Sequence, residues 1–563
     1  MHLRGGGCCL SSDVSHIELA AIGAEDDSSA AQLAADEARI ANAIAAPLPD
    51  GSTWLQFGGA ELEPLLASID IIDASWLLRF AKREIMPDCA GVVPAWQQVP
   101  DEAKLSLSIL RQTTMTQYML PIVIISYGWA ARHHPDPSGA QLQQLVHVLE
   151  LLVMSHGSSM GLSDGQAEVG HPLVWGIIWD FMCLPQRGYT TGYDADIDDR
   201  TPYEKERFHR GLAGINIWYG HMHTTTLICD WPMPEDAENT TSIDRRGWCL
   251  FERYLGAIRK ESSCLLKVNA NTGRFSCWIH AYEECTVGRT PPLVPDAFEA
   301  MMREGMEREA SGSGTGIKFT NGRDASSICI PQYKEAFLRL IGCEGDLAYN
   351  RCQWMDADLA QLADALSYAQ AAGTVLLPSG LALSGNRFTD AALPSIEIIL
   401  GTLPKLDTLD LRQNRFTDAA LQALSALLPW RQTRLRRLGL GSGLSSDSIK
   451  CLASLAAQGH LMGLEDLRLS NNSRLGDAGA STLAELIADG SQSLPKLDLL
   501  YLDSTGMGDA GVSAITQSLG VASSPPLTKL IIGDNLFGPR AQRELTMVCD
   551  RKGIAVLERT AHW

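Results

Sequence analysis

The stretch "LDTLDLRQN" (residues 406–414) places its leucines in the pattern L-x-x-L-x-L-x-x-N. The pattern returns four more times, and a partial copy, "LALSGN", ends at Asn386; the full copies are "LRRLGLGSG" (435–443), "LEDLRLSNN" (464–472), "LDLLYLDST" (497–505) and "LTKLIIGDN" (527–535). Closing positions 386, 414, 443, 472, 505 and 535 lie 28 to 33 residues apart, which leaves room for a strand and a helix in each copy. Such copies bury their leucines only by stacking on one another, so they predict a solenoid.

This period and pattern resemble leucine-rich repeats of the ribonuclease-inhibitor type. The resemblance implies an α/β solenoid over residues 375–563, preceded by a connecting helix or cap over 346–374. Strand residues beside the repeat leucines then lie on the concave face and form a mixed-charge surface that suits a protein ligand. A solvated face with no dedicated partner is the alternative. The candidate partner-binding residues are Asp410, Arg412, Arg437, Asp466, Arg468, Tyr501, Asp503 and Lys529.

Other polar residues of the repeats have a structural interpretation. The closing asparagines are expected to bind backbone groups at the turn after each strand, with Gly443 and Thr505 as departures from the pattern. The aspartates that follow are expected to be N-caps of the repeat helices: Asp390, Asp418, Asp447, Asp477 and Asp509.

Residues 116–345 alternate between apolar strand patterns and helical patterns, which predicts a parallel sheet with intervening helices. Five strands with this spacing favour a flavodoxin-like, doubly wound α/β domain. The predicted strands lie within "YMLPIVIISYGW" (118–129), "PLVWGIIWDFMCLPQ" (172–186), "TTTLICDW" (224–231), "SCLLKVNA" (263–270) and "TGIKFT" (315–320).

One helix of this region, "RRGWCLFERYLGAI" (245–258), has a carboxylate on its apolar side. Trp248, Phe251, Leu255 and Ile258 form an apolar stripe, and Glu252 falls inside it, four residues after Trp248. Buried carboxylates are uncommon unless they are paired or functional. The position of Glu252 therefore needs either a partner or a function.

The order of these elements, with Trp248, Cys249, Leu250 and Glu252 in register, resembles the Toll/interleukin-1 receptor homology (TIR) domain. The stretch "WDFMCLPQ" also resembles the related fungal heterokaryon-incompatibility domains. In TIR domains that cleave NAD, the glutamate of this helix is catalytic, which implies that Glu252 is the catalytic residue at the carboxyl ends of the strands. No cofactor is then required, and NAD is a possible substrate.

The resemblance also names residues that would contact NAD. Ser126, Tyr127 and Trp129 end the first strand, and Trp248 could stack on a base or on the nicotinamide ring, although packing against the sheet explains that tryptophan equally well. Asp180 lies at the end of the next strand, where either a binding or a loop-capping role fits.

Two departures favour a TIR-like fold that only mediates association. The first strand ends in "SYGWAARHHPDP", unlike many TIR domains, and the following loop, "RGYTTGYDADIDDRTP" (187–202), is long and acidic. Two functions therefore stay open. One is a sensor or adaptor with a TIR-like domain that self-associates in signalling; the other is an NAD glycohydrolase activated by assembly.

Composition restricts the partners. A chain of 563 residues with a net charge of −20 repels phosphates and anionic lipid, and it lacks an apolar run long enough for a membrane span, so we expect neither nucleic-acid binding nor a membrane span. Its 14 cysteines include no C-x-x-C pair, which favours reduced thiols and a cytoplasmic location. The histidines around 133–136 and 221–223 are of metal-binding types, but no recognisable ligand spacing supports a metal site.

The N-terminal fifth of the chain is the least informative. Residues 1–54 are Ala-rich and acidic and are expected to be disordered or loosely helical, and residues 55–115 are expected to pack on the sheet domain as an extension.

Overall fold

A computed structural model describes residues 27–86, 91–113, 119–157, 174–190, 197–276, 278–286, 288–426, 435–441 and 443–557. Residues 1–26 of the N-terminal region, and part of the acidic loop after residue 190, lie outside this description. The chain divides into two compact units. The sheet unit comprises Met1–Arg289 with Val294–Leu340, and the repeat unit comprises Thr290–Leu293 with Ile341–Trp563.

The sheet unit alternates strands and helices along much of its length. Its elements are α1 (Asp27–Ala45), β1 (Ile72–Asp73), α2 (Ala74–Ala81), α3 (Leu107–Leu110), β2 (Ile122–Ser126), α4 (Ala140–Gly157), β3 (Gly176–Ile178), α5 (Asp180–Cys183), α6 (Pro202–Ala213), α7 (Ile215–Gly220), β4 (Thr225–Cys229), α8 (Gly247–Arg259), β5 (Leu265–Val268), α9 (Trp278–Cys285), α10 (Pro295–Ala310) and α11 (Ile330–Gly342).

These strands form one five-stranded sheet in the order β1-β3-β2-β4-β5. Strands β2 to β5 are parallel, whereas β1 pairs with β3 in the antiparallel sense. Every residue of β2 and β4 is buried, because both faces of the central strands are covered. This burial explains why β2 does not alternate between apolar and polar residues, whereas β4 begins with two buried threonines.

The prediction of a strand over residues 315–320 is wrong. Lys318 forms only an isolated bridge with Arg246, and the amide of Gly247 donates to the carbonyl of Lys318. Ile317 is buried, but the Gly/Ser-rich residues before it supply no further apolar side chains to a strand. The fifth strand of the sheet is instead β1, from the segment that was expected to be an N-terminal extension.

Local sequence explains where the helices beside the sheet begin. Helix α6 starts with a capping box, because the hydroxyl of Thr201 accepts from the amide of Glu204 and the carboxylate of Glu204 accepts from the amide of Thr201. Helix α8 starts at Gly247, where a Cβ atom would lie 2.0 Å from the ring of Phe319. Only glycine allows this close approach.

The repeat unit contains eight parallel strands, each hydrogen-bonded to its neighbours in sequence order, with β6 and β13 at the edges. Its elements are β6 (Gly345–Ala348), α12 (Asp356–Ala371), β7 (Pro378–Ala382), α13 (Leu393–Thr402), β8 (Thr408–Asp410), α14 (Asp418–Ala426), β9 (Arg437–Gly439), α15 (Ser446–Ala457), β10 (Asp466–Arg468), α16 (Gly476–Ala488), α17 (Gly490–Ser493), β11 (Leu499–Tyr501), α18 (Asp509–Gly520), β12 (Lys529–Ile531), α19 (Pro539–Lys552) and β13 (Ala555–Leu557).

Strand β6 begins at Gly345 and continues into the segment 346–374, where the sequence predicted only a connecting helix or cap. Across the described part of the chain, no helix combines the length and the apolar character needed to cross a membrane.

Candidate functional site

Polar side chains of the sheet unit meet at the carboxyl ends of three neighbouring strands. Ser126 is the last residue of β2, Tyr127 follows it, and Asp180 comes two residues after β3. Cys229 ends β4, and Glu252 reaches the same edge from the second turn of α8. We call these five residues, together with Trp129 and Trp248, the strand-end site.

Asp180 is held as a hydrogen-bond acceptor within this site. The Tyr127 hydroxyl donates to Asp180 Oδ1 at 2.7 Å, and the Phe181 amide donates to the same oxygen at 2.7 Å. Burial raises the pKa of Asp180, while hydrogen bonds from Tyr127, Phe181 and the Trp129 indole oppose that rise. Burial, and then the charge of Asp180, raise the pKa of Tyr127. The Tyr127 hydroxyl therefore remains a donor.

Glu252 is half-buried and its charge is not balanced by a neighbour. Burial raises its pKa to about 8, and the charge of Asp180 adds to this rise. The nearby hydroxyls of Ser126 and Tyr219 oppose it. Among the residues described, no Lys, Arg or His nitrogen lies within ion-pair distance of this carboxyl group. Glu252 is thus mostly protonated at pH 7 and ionises as the pH rises through about 8.

The arginines of α8 and its N-terminus bind elsewhere. Arg245 contacts Glu309 at 2.8 Å, and Arg246 donates to the carbonyls of Trp129, Asn239 and Thr241 at 2.6 to 2.8 Å. Arg259 is buried and its Nε lies 3.4 Å from the sulfur of Met222. A structural ion pair does not explain the position of Glu252.

Ser126 is the second unpaired group of the strand-end site. Its side chain is 1% exposed, and its hydroxyl makes no hydrogen bond with acceptable geometry to any described residue, although it lies close enough to Glu252 to affect that pKa. A buried hydroxyl without a partner is unfavourable, and it often marks a position that a ligand or a water completes.

Trp248 is half-exposed and is oriented by a residue that the sequence did not suggest. Its indole Nε1 donates to Asp324 at 3.1 Å, and Asp324 also accepts from the Asn321 amide at 2.7 Å. Asp324 precedes a π-helical turn, Ala325–Cys329, that packs against α8. The only sequence signal was the neighbouring Gly/Ser-rich stretch, and such π-turns are frequent at functional sites.

His134, one of the histidines considered as a metal ligand, has a structural role. His134 is buried, with one ring nitrogen 3.1 Å from the Val93 carbonyl and the other accepting from the amide of Asp136. The carboxylate of Asp136 accepts from two amides at the start of α4. Among the described residues, no group of three or more potential ligands could hold a metal ion.

In the repeat unit, closing asparagines connect neighbouring turns. Asn414 donates to the carbonyls of Leu383 and Leu411 and accepts from the amide of Phe388. Asn386, Asn472 and Asn535 make the equivalent contacts. The predicted backbone role of these asparagines is confirmed, and the Thr505 hydroxyl replaces one of the contacts by donating to Leu502.

The predicted partner-binding residues lie on or just after strands β8 to β12, and four of them form ion pairs with each other. Asp410 binds Arg412 through two hydrogen bonds of 2.9 and 2.8 Å, and Asp466 binds Arg468 in the same way. The guanidinium of Arg468 lies 4.8 Å from the ring centre of Tyr501. Each of these arginines is thus paired with the aspartate two residues before it.

The remaining three predicted partner-binding residues differ in exposure and in ion pairing. Arg437 on β9 and Lys529 on β12 are exposed, and neither forms an ion pair with a described residue. Asp503 accepts from the Ser470 hydroxyl. Of the predicted partner-binding residues, Arg437 and Lys529 are therefore the cations that form no ion pair with a described residue.

Comparison with known families identifies the repeat. The family profile described as "Leucine Rich repeat" matches residues 402–425 and 460–484. Leucine-rich repeats are therefore present within residues 402–484 of the repeat unit. These repeats indicate a protein-binding function.

The comparison with curated proteins found no match. Solved structures that are similar include the "Crystal structure of Rad7 and Elc1 complex in yeast", at 14% identity and a TM-score of 0.20, over 40% of this chain and 77% of that chain.

The prediction that the aspartates of the leucine-rich repeats are N-caps is wrong. Asp418 lies in the first turn of its own helix, and its carboxylate accepts from the amide and hydroxyl of Ser445 and from the hydroxyl of Ser448 in the next repeat. The physical reason is the position of Asp418 inside the first turn of its helix. From there its carboxylate is directed toward the following repeat and does not cap its own helix. Asp390, Asp477 and Asp509 also bind the following repeat, whereas Asp447 pairs with Lys450 in its own helix.

Proposed function

We propose that this protein is a sensor or adaptor in which the leucine-rich repeats bind a protein partner and the sheet unit, as a TIR-like domain, self-associates. The TIR-like assignment is supported by the strand order β3-β2-β4-β5, since in their own chain order these parallel strands have the flavodoxin-like sequence 2-1-3-4. It is also supported by the motif Trp248, Cys249, Leu250 and Glu252, which lies on α8 between β4 and β5.

The repeat surface supports a protein ligand. Its paired Asp and Arg side chains and Tyr501 are held in place before any partner arrives, which reduces the entropy lost on binding. The exposed Arg437 and Lys529 provide charge for recognition. Free cysteines throughout the described chain fit the cytoplasmic location expected from the sequence.

Light scattering of the purified chain over a range of concentrations tests self-association. The proposal expects the mass to rise above that of one chain as concentration increases. It also expects the double variant Arg437→Ala, Lys529→Ala to self-associate as the unaltered chain does, because the partner surface lies in the other unit. A mass that stays at one chain at every concentration would contradict the adaptor function.

A second function, NAD cleavage, is favoured by one observation: Glu252 reaches the carboxyl ends of the strands without an ion pair. In open α/β sheets this edge is where ligands bind. A carboxylate there would stabilise the positive charge that develops on the ribose as its C1′–N bond breaks. The leaving nicotinamide takes the bonding electron pair and departs neutral, water adds to C1′, and the proton of that water passes to solvent.

Nicotinamide release from NAD by the concentrated chain tests the second function. We expect turnover in the unaltered protein and a loss of at least about a hundredfold in Glu252→Ala, since electrostatic stabilisers of transition states contribute on that order. Glu307→Ala is the matched control, because Glu307 is an exposed glutamate on α10 of the same unit. No release by the assembled protein would leave only the adaptor function.

A further inference from the structure

The charges of the strand-end site do not balance. Asp180 and Glu252 are close enough that the charge of Asp180 raises the pKa of Glu252, and both side chains are half-buried. Neither carboxyl group forms an ion pair with any residue described. The strand-end site therefore contains two acidic groups and lacks the cation that usually accompanies such a pair.

Among the described residues, four further titratable groups face Glu252, and each of them is a tyrosine or a cysteine. Tyr219 from α7, Cys229 from β4, Cys249 from α8 and Cys329 from the π-helical turn each sense the charge of Glu252, and burial raises the pKa of all four. Tyr219 already donates its hydroxyl proton to the Ile125 carbonyl at 3.2 Å. None of these groups can supply a positive charge.

The surroundings of the carboxyl pair are aromatic. Trp129 and Trp248 are half-exposed, and Tyr127 packs edge-on against Trp179 with ring centres 5.1 Å apart. Aromatic faces attract organic cations, and the effect is larger where water is excluded. The described residues offer too few ligands for a metal ion. The buried, unpaired Ser126 hydroxyl beside Glu252 is an independent sign that a ligand completes the site.

We infer that Asp180, fixed by Tyr127, is the specificity-determining residue of the strand-end site and makes it select a positively charged heterocycle over a neutral one. This inference rests on the proposed NAD cleavage, whose substrate carries a cationic nicotinamide ring. Asp180 is suited to the role because two donors hold the same oxygen, Tyr127 and the Phe181 amide, and stabilise its anionic form. Glu252 is then left free to act at the ribose.

Two probes with the same ring test the inference in the full-length chain. 1-Methylnicotinamide is a cation, and nicotinamide is its neutral counterpart; quenching of tryptophan fluorescence reports binding of each. We expect the unaltered protein to bind the cation at least about tenfold more tightly, the smallest difference that corresponds to one well-placed charge interaction. This comparison needs no variant, so it stands even if a substitution prevents folding.

The variant Asp180→Asn keeps the shape of the side chain and removes its charge. It should lose most of the preference for 1-methylnicotinamide and leave the affinity for nicotinamide within about twofold. Asp230→Asn is the matched control. Asp230 follows β4 at the same edge of the sheet, but Lys267 already balances its charge at 2.8 Å, so the preference should be retained.

Several results would overturn the inference: equal affinity for both probes, no binding of either probe, or an Asp180→Asn variant that weakens both probes equally. Failure of NAD cleavage is a separate result, because it is read from nicotinamide release. A protein that prefers the cation without turnover would retain the ligand class and lose only the catalytic function.

Discussion

At the residue scale, Glu252 links the stability of the sheet unit to pH. Its pKa of about 8 in the folded state exceeds the ordinary value of 4.5, chiefly because the carboxyl group is buried. The folded state therefore holds the proton more tightly than the unfolded state between these two pH values. The resulting stabilisation is complete below pH 4.5 and is lost as the pH rises through about 8.

The first prediction follows from this loss of stability with rising pH. In Glu252→Gln the side chain cannot ionise, so the stability of the variant relative to the unaltered protein should rise steadily as the pH increases from 5 to 8.5. Thermal unfolding followed by tryptophan fluorescence at several pH values measures the difference. Glu307→Gln removes an exposed carboxyl group and should show no such trend. A constant difference for Glu252→Gln across this range would mean that the folded protein does not hold the proton.

The sequence predicts the residues of the strand-end site that lie at strand ends, but not the contacts between residues that are distant in the chain. Ser126, Tyr127, Asp180 and Glu252 follow recognisable strand and helix patterns, and parallel strands place their carboxyl ends at one edge. Asp324 could not be foreseen, because 76 residues separate it from Trp248 in the chain and only the fold brings the two side chains together. Nor does the sequence show whether Arg245, Arg246 or Arg259 would bind Glu252, since that depends on the direction of each side chain.

At the element scale, contacts between repeats depend on where an aspartate sits in its helix. Asp418 binds Ser445 and Ser448 of the next repeat, whereas Asp447, one repeat later, binds only Lys450. Both aspartates follow a similar turn in the sequence. The difference arises in the repeat after Asp447, where the amide of Gly476 donates to the carbonyl of Thr505, whereas the equivalent amide of Gly508 donates to Asp477.

The second prediction compares these two aspartates. Asp418→Ala leaves one amide and two hydroxyls without their acceptor in a part-buried position and should destabilise the neighbouring repeats by about 1 kcal/mol, the low end of the cost of an unsatisfied donor. Asp447→Ala should change stability by no more than about 0.5 kcal/mol, as is typical of exposed ion pairs. Hydrogen exchange of the amides in α14 and α15 measures both effects locally. Equal protection in the two variants would show that the contacts between repeats contribute little.

Internal strands of the repeat unit are easier to predict from the sequence than its edge strands. Internal strands carry the leucine pattern because each is covered by a neighbour on both sides. Strands β6 and β13 are at the edges of the sheet and depart from that pattern, so the leucine spacing does not predict them. The edge strand β1 has only two residues, which is too short for any periodic signal.

At the scale of the whole molecule, the net charge of −20 opposes any assembly of identical chains. Copies of the chain repel one another at long range, and salt screens that repulsion with a Debye length of about 10 Å at 0.1 M. If the sheet unit self-associates through a surface that is mainly apolar or neutral, screening should favour the assembled state.

The third prediction is that self-association strengthens as the concentration of sodium chloride increases. Sedimentation velocity at a fixed protein concentration should show a larger assembled fraction in high salt, because screening reduces the repulsion between acidic chains while apolar contacts are little affected. Sucrose at the same osmolality is the control, since it does not screen charge and should leave the distribution closer to that in low salt. Association that weakens with salt would contradict the prediction and would mean that ion pairs between oppositely charged patches hold the copies together.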